Sequence, residues 1–534
     1  MVAVDGSDER RRVARVAAWL VGTIACACAP ALGRPFTPPE DGGPPWTELT
    51  SRHFVVRTDL TETQGQEVVA ALEQGYGLLA DVAFPFEARP DGRTVVLVTR
   101  SREEYELLAP PGTAGFFRRQ LDPALPSLHF YGGPTEAAQV TMLHELAHRF
   151  TNFYYPGAPR WVHEGLAEYY STAVLAGGKA LFGRHPPGLR FRPGMLWDQQ
   201  QTAKGAIVWV PTGSVPIVET MIATSPRDFS GRADQPGEEQ SEARRVIANY
   251  AGAWALVHFL KSTSTYESRF ASFLSALGAG ESPEQAWQAG FGTVARTELE
   301  AEFQRYLNDR THMVLRTDYV PPAQPPAAAR TMTADEVHLL WAAIRPWTDA
   351  AALRQARADV GAALAIAPRS ADARLWLARL EVAEGKPAEA ERNLRLALEL
   401  RPDDERALLE LFRLYDAQLD VGADGQRDFG RTDALLPALQ RSATLSLTHN
   451  AVAWHLAWER GRLDEALPYA STAVRDFSCF ECFDTLAFVM AKKGAFSQAF
   501  KMQSIALNTM PDGYFDADVL ARWESYRQAA TAGK

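Results

Sequence analysis

The sequence predicts an α+β domain over roughly residues 46–315, followed by an all-α helical-repeat domain over 333–525. Three observations carry that expectation. Strand-like apolar runs come first and amphipathic helical patterns after them. Pro321, Pro322, Pro325 and Pro326 then mark a Pro/Ala-rich linker at 316–332. Beyond it, similar helix endings recur with a period near 34 residues, since Pro368 and Pro402 stand 34 apart.

Length and composition set the outer bounds. A chain of 534 residues exceeds one ordinary domain. With 46% hydrophobic and 22% charged residues it has the balance of a soluble globular protein. A net charge of −10 argues against a nucleic-acid partner, which calls for a basic surface. Four cysteines are too few for a disulfide framework.

Residues 1–29 read as an export signal. Arg10, Arg11, Arg12 and Arg15 precede an apolar run at 16–28 that ends among small residues. That run is short for a membrane span of about 20 residues. Cys26 and Cys28 stand where a lipoprotein carries its acylated cysteine, so a lipid anchor and a cleaved signal both remain open. Either places the protein outside the cytoplasm: periplasmic, in the cell envelope or secreted. Membrane attachment is expected only through such a lipid. Residues 30–45 are Pro/Gly-rich, a tether.

Within the first domain, 53–58 (HFVVRT) and 94–99 (TVVLVT) read as strands, with a helix over 64–83 between them. A short helix at 103–108 and strands around 116–117 and 128–131 come next. The last of these is expected to be an edge strand on which an extended peptide lies. Helices are predicted at 135–153, 159–173 and 247–260, and two or three more at 270–307. The polar stretch 227–243 is expected to be mobile.

In the second domain, Gly461 and Gly494 stand 33 apart, followed by Ala466 and Ala499. Residues 371–402 resemble one complete tetratricopeptide repeat (TPR) unit. The period breaks over 414–448. Cys479 and Cys482 form a single CxxC, too little for a zinc site, which usually needs two such pairs; it is read as two packed thiols, with a local disulfide formed after export as the alternative.

The chemistry sits in the first domain. His144, Glu145 and His148 form HExxH, of which a chain with 11 histidines should hold about 0.01 by chance. Four residues apart on a helix, the two imidazoles share a face and can reach one zinc ion. Glu145 can reach a metal-bound water from the same side. A catalytic zinc needs a third protein ligand, and Glu164 in WVHEGLAEYY can supply it from a second helix. Glu168 shares the helix face of Glu164 and can accept the free N–H of a ligand imidazole. A third histidine in the metzincin spacing is excluded, because 151 and 154 are Thr151 and Tyr154.

HELAH followed by WVHEGLAEYY resembles the gluzincin branch of zinc metallopeptidases (clan MA). The chain is similar to exported bacterial peptidase-MA-like proteins that carry TPRs behind a zincin-like domain. The resemblance covers roughly residues 50–310. It implies zinc on His144, His148 and Glu164, one ion per chain, with Glu145 as general base. The interval between motifs is shorter than in well-studied aminopeptidases of that branch, so their substrates are not implied. Tyr250, in ANYAGAWALVHFL, resembles a Tyr-led helix of such proteins. Its hydroxyl can donate to an oxyanion, while a core tyrosine is the competing reading. His163 is expected to face away from the ligands and His258 to be a core histidine.

These readings amount to a zinc-dependent peptidase acting on peptides or proteins, with repeats that recruit protein partners. The alternative is an exported TPR binding or scaffold protein whose zinc-holding domain turns over weakly or not at all.

Overall fold

The computed structural model describes residues 37–90, 92–109, 115–122, 125–133, 135–185, 189–192, 195–201, 207–213, 218–224, 229, 239–308, 314–345, 347, 350–418, 428–475, 479–510 and 516–532. The export signal, Cys26, Cys28 and the tether up to residue 36 lie outside the described residues, as does most of 227–243. Among the described residues no helix is long and apolar enough to cross a membrane.

The first half opens with β1 (Thr47–Thr50), β2 (Phe54–Thr58), α1 (Glu62–Leu78), β3 (Thr94–Thr99) and α2 (Arg102–Glu106). It continues through β4 (Gly115–Asp122), β5 (Leu125–Tyr131), α3 (Glu136–Tyr154) and α4 (Arg160–Ser171). Strands β6 (Val174–Ala176), β7 (Lys179–Phe182), β8 (Leu189–Arg192), β9 (Met195–Gln201) and β10 (Ile207–Gly213) come next. After them are α5 (Val218–Ala223), α6 (Glu239–Ser262), α7 (Ser264–Gly278), α8 (Pro283–Phe291), α9 (Arg296–Asn308), β11 (Leu315–Asp318) and β12 (Ala328–Thr331).

Six strands form one mixed sheet in the order β12-β1-β2-β3-β5-β4, with β2, β3 and β5 parallel. All six residues of β3 (TVVLVT) are buried, because helices cover both faces of this central strand. Val96 and Val98 pack with Leu72 of α1 and Leu146 of α3, while Leu97 points the other way. The strand at 128–131 is not the edge. It is the interior strand β5, paired with β3 on one side and β4 on the other, so among the described residues β4 is the edge strand on that side of the sheet. Edge position goes to β4 because the chain doubles back antiparallel before entering α3.

The segment read as a linker belongs to the first half. Strand β11 pairs with β7, and β12 pairs with β1 in the register Thr47 to Thr331. The second half is helical: α10 (Ala334–Ile344), α11 (Ala350–Ile366), α12 (Ala371–Ala383), α13 (Pro387–Leu400), α14 (Glu405–Ala417) and α15 (Gly430–Ser442). Then come α16 (Ser446–Trp454), α17 (Leu463–Ala473), α18 (Phe480–Lys492), α19 (Phe496–Asn508) and α20 (Ala517–Ala532). Successive helices pair as antiparallel hairpins, and Gly461 and Gly494 turn two of them with φ of 65° and 82°.

The helical array meets the first half at both ends. Val337, Leu340, Trp341 and Ile344 of α10 pack with Trp46, Leu97 and Leu108, closing the second face of the sheet. At the far end, Ile505 of α19 lies against Gly157, and Asn508 Nδ2 donates to the Gly157 carbonyl at 3.0 Å. Lys501 pairs with Glu281 at 2.5 Å. Cys479 and Cys482 correct the expectation of two free thiols: they are disulfide-bonded and buried at the start of α18. A spacing of three at a helix start brings the two sulfurs together, with the Cys482 N–H donating to Cys479 Sγ at 3.1 Å.

Candidate metal centre

Helices α3 and α4 lie side by side, joined through the turn at 155–159. Thr135 caps α3 by accepting from the Ala138 N–H at 3.2 Å. Gly165 explains how α4 comes so close to α6. A Cβ there would meet the Ala253 carbonyl oxygen and Val257 Cγ2, each at 2.6 Å, so only glycine fits. The residue after Glu164 therefore sets the depth at which its helix sits.

His144 Nε2 and His148 Nε2 are 3.1 Å apart, and Glu164 Oε2 is 3.3 and 3.4 Å from them. Three donors held tetrahedrally at 2.0–2.1 Å from a zinc ion would be about 3.3–3.4 Å from one another. The triangle thus has the size of one face of a zinc tetrahedron. Glu164 is buried, and its Oε2 has no hydrogen-bond partner. A buried carboxylate oxygen faced only by two imidazoles and lacking a well-aligned hydrogen bond is costly, and a cation in the triangle would lower that cost. The donor set of two imidazoles and a carboxylate suits zinc. The two imidazoles keep 15% and 14% of their side-chain surface exposed, so the triangle faces a space that solvent reaches.

The surroundings are strongly anionic. Burial disfavours charge on His144, yet the carboxylates of Glu164, Glu168 and Glu145 outweigh it and push its pKa up to about 9. Burial likewise opposes ionised Glu164, but His148, Arg160 and His144 hold its carboxyl well below the usual range. Burial raises Glu168. A metal ion binding here would displace a proton from the imidazole pair.

The remaining candidates surround this triangle or turn from it. Glu168 Oε1 is 3.4 Å from His144 Nδ1, on the ring nitrogen opposite the triangle. Glu145 is half-buried and close enough to act electrostatically on both His144 and Tyr250. Tyr250, on α6, lies within electrostatic reach of the site: the Glu164 carboxylate and burial raise the pKa of its hydroxyl, and Arg160 opposes them. His163 turns away and meets Thr151 Oγ1 at 3.0 Å. His258 meets the Gly183 carbonyl at 2.9 Å through Nε2 and the Tyr306 hydroxyl through Nδ1, as a core histidine does.

Sequence reasoning passed over Arg160. Its Nε is 3.0 Å from Glu164 Oε1, and the available signal was its place four residues before Glu164. A second cluster, Asp416, His455 and Glu459, also brings three potential ligands together. There the ring nitrogens of His455 lie at hydrogen-bond distance from carboxylates, Nδ1 at 2.9 Å from Glu459 and Nε2 at 3.0 Å from Asp433.

No protein-family model matches the chain. No curated protein matches it either. Among solved structures it is similar to a thermophilic TPR protein of Thermus thermophilus, at 20% identity over 36% of this chain and 99% of that one, with a TM-score of 0.30. It is also similar to Pseudomonas aeruginosa pilF, at 17% identity over 37% of this chain and 87% of that one, TM-score 0.30. A third is YrrB, described as a TPR protein with an unusual peptide-binding site, at 20% identity over 32% of this chain and 84% of that one, TM-score 0.25.

Proposed function

We propose that the chain is a zinc-dependent peptidase of gluzincin type, with a helical array that recruits peptide or protein partners. The observation that carries this reading is the triangle of His144 Nε2, His148 Nε2 and Glu164 Oε2, zinc-sized and closed on an unpartnered oxygen.

A bound zinc ion supplies a Lewis acid for the scissile carbonyl and an acidified water. Glu145 takes the proton of the attacking water and passes it to the leaving amine. Glu168 Oε1, 3.4 Å from His144 Nδ1, stands where it would accept from that nitrogen, fix the tautomer and leave the Nε2 lone pair toward the triangle. The Tyr250 hydroxyl donates to the oxyanion as it forms. The edge strand β4 offers backbone groups to an extended peptide and begins against the motif helix. A Cβ on Gly115 would meet Thr141 Cγ2, one turn before His144 and Glu145. The Cys479–Cys482 disulfide fits an oxidising compartment and so an exported protein.

The test is zinc analysis of purified protein joined to peptide-library cleavage by wild type and Glu145→Gln. One zinc per chain is expected in both, with hydrolysis by the variant down about 10²–10⁴-fold. Cleavage by Glu145→Gln at the wild-type rate would sink the mechanism. Wild type that holds zinc and cleaves nothing would leave binding by the array as the protein's function.

A further inference from the structure

The geometry points to Arg160 as a positioning residue that holds Glu164 beside the metal triangle. This rests on the zinc-site reading and extends it to a residue outside the HExxH and Glu164 motifs.

The two oxygens of Glu164 are divided between different partners. Oε2 faces the imidazoles, while Oε1 is 3.0 Å from Arg160 Nε. An ion pair on Oε1 favours a carboxylate that turns its other oxygen, Oε2, toward the imidazoles. The guanidinium is a rigid planar fork, so a group paired with it is held in a defined orientation.

Helix stability does not explain an arginine here. Arg160 is the first residue of α4, where the helix dipole disfavours a cation. Pro159 before it provides no side-chain cap, and the first turn holds no acidic residue. Nor is this an ordinary surface pair. Glu164 is 1% exposed, so a missing guanidinium leaves a buried carboxylate with only the imidazoles beside it.

The test compares full-length wild type, Arg160→Gln and Arg160→Lys. Zinc affinity is measured by chelator competition, and the visible absorption of the cobalt-substituted proteins reports ligand geometry. Melting in chelator checks the metal-free fold. Arg160→Gln is expected to weaken zinc about 10–100-fold, as loss of a ligand's supporting partner does, and to alter the cobalt spectrum. Lysine restores the charge but not the fork, so Arg160→Lys should recover part of the affinity and still show an altered spectrum. Wild-type affinity and spectrum in Arg160→Gln would overturn the inference and leave the zinc site standing. If Arg160→Gln does not fold, an unaltered spectrum in Arg160→Lys overturns it equally. Wild type that takes up no zinc would overturn the reading of the site itself.

Discussion

Replacing Glu164 by Gln asks whether the triangle is a metal site, and the size of the answer can be worked out in advance. The change keeps the side chain's shape but removes the anionic donor among three. Losing a group that merely supports a ligand typically costs 10–100-fold in metal affinity, so losing the carboxylate ligand should cost at least about 100-fold. With free zinc at 100 times the wild-type Kd, binding stabilises wild type by about 2.7 kcal/mol. In a variant bound 100-fold more weakly the same zinc contributes only about 0.4 kcal/mol. At roughly 2–4 °C per kcal/mol for a domain of a couple of hundred residues, zinc should raise the wild-type melting temperature by about 5–10 °C. The variant should gain less than about 2 °C. The assay is thermal melting in chelator and in buffered zinc. Glu164→Gln also breaks the pair with Arg160, but that loss is present in both conditions and drops out of the comparison. A zinc-dependent rise in Glu164→Gln equal to that of wild type would refute the assignment of the third ligand.

Two further outcomes are expected. A chain ending at residue 321 loses β12 and α10 and uncovers Trp46, Leu97 and Leu108, each worth about 1.5–3 kcal/mol when buried. That approaches the whole stability of a typical domain, about 5–15 kcal/mol. A chain ending at residue 368 keeps both elements and should melt cooperatively and retain zinc, whereas equal stability of the two fragments would show that α10 is dispensable to the sheet. The second outcome concerns pH. The Asp359 and Glu40 carboxylates raise the pKa of His338 against the opposing effect of burial. Glu40 is lowered, its own backbone and His338 outweighing burial. A raised histidine loses its contribution as pH rises through its folded pKa, and a lowered carboxylate loses its own as pH falls. The 2.6 Å link from Glu40 to His338 should therefore hold residues 39–41 between those limits and release them above the raised histidine value. Hydrogen exchange at 39–43 against pH reads this directly. A protection profile identical in His338→Gln would dismiss the link.

How much of this was legible beforehand depends on where the information lies. The spacings in HELAH and WVHEGLAEYY carry the triangle, because helical periodicity converts four residues into one face. TVVLVT announces a strand covered on both sides. Strand β12 was not legible. Its residues AART are all exposed, and it is a strand only because its backbone finds β1. The same holds for the mistaken edge, since 128–131 is apolar whether it ends the sheet or lies inside it. Arg160 was passed over because an i,i+4 Arg–Glu pair usually marks a solvated helix face. Only the burial of Glu164 makes it something else.

The two-ended attachment of the array has a mechanical consequence. A solenoid fixed at one end can change pitch freely, like a spring with a loose tip. This one is fixed at both, by Trp341 beneath the sheet and by Ile505 and Asn508 on Gly157. Its span is then set by the body it is mounted on, like a bow held by its string. A ligand that favours a tighter or flatter coil must either unseat α19 or shift the turn that carries Gly157, three residues before Arg160. The seat of the array's far end thus lies three residues from the start of the helix that carries Glu164.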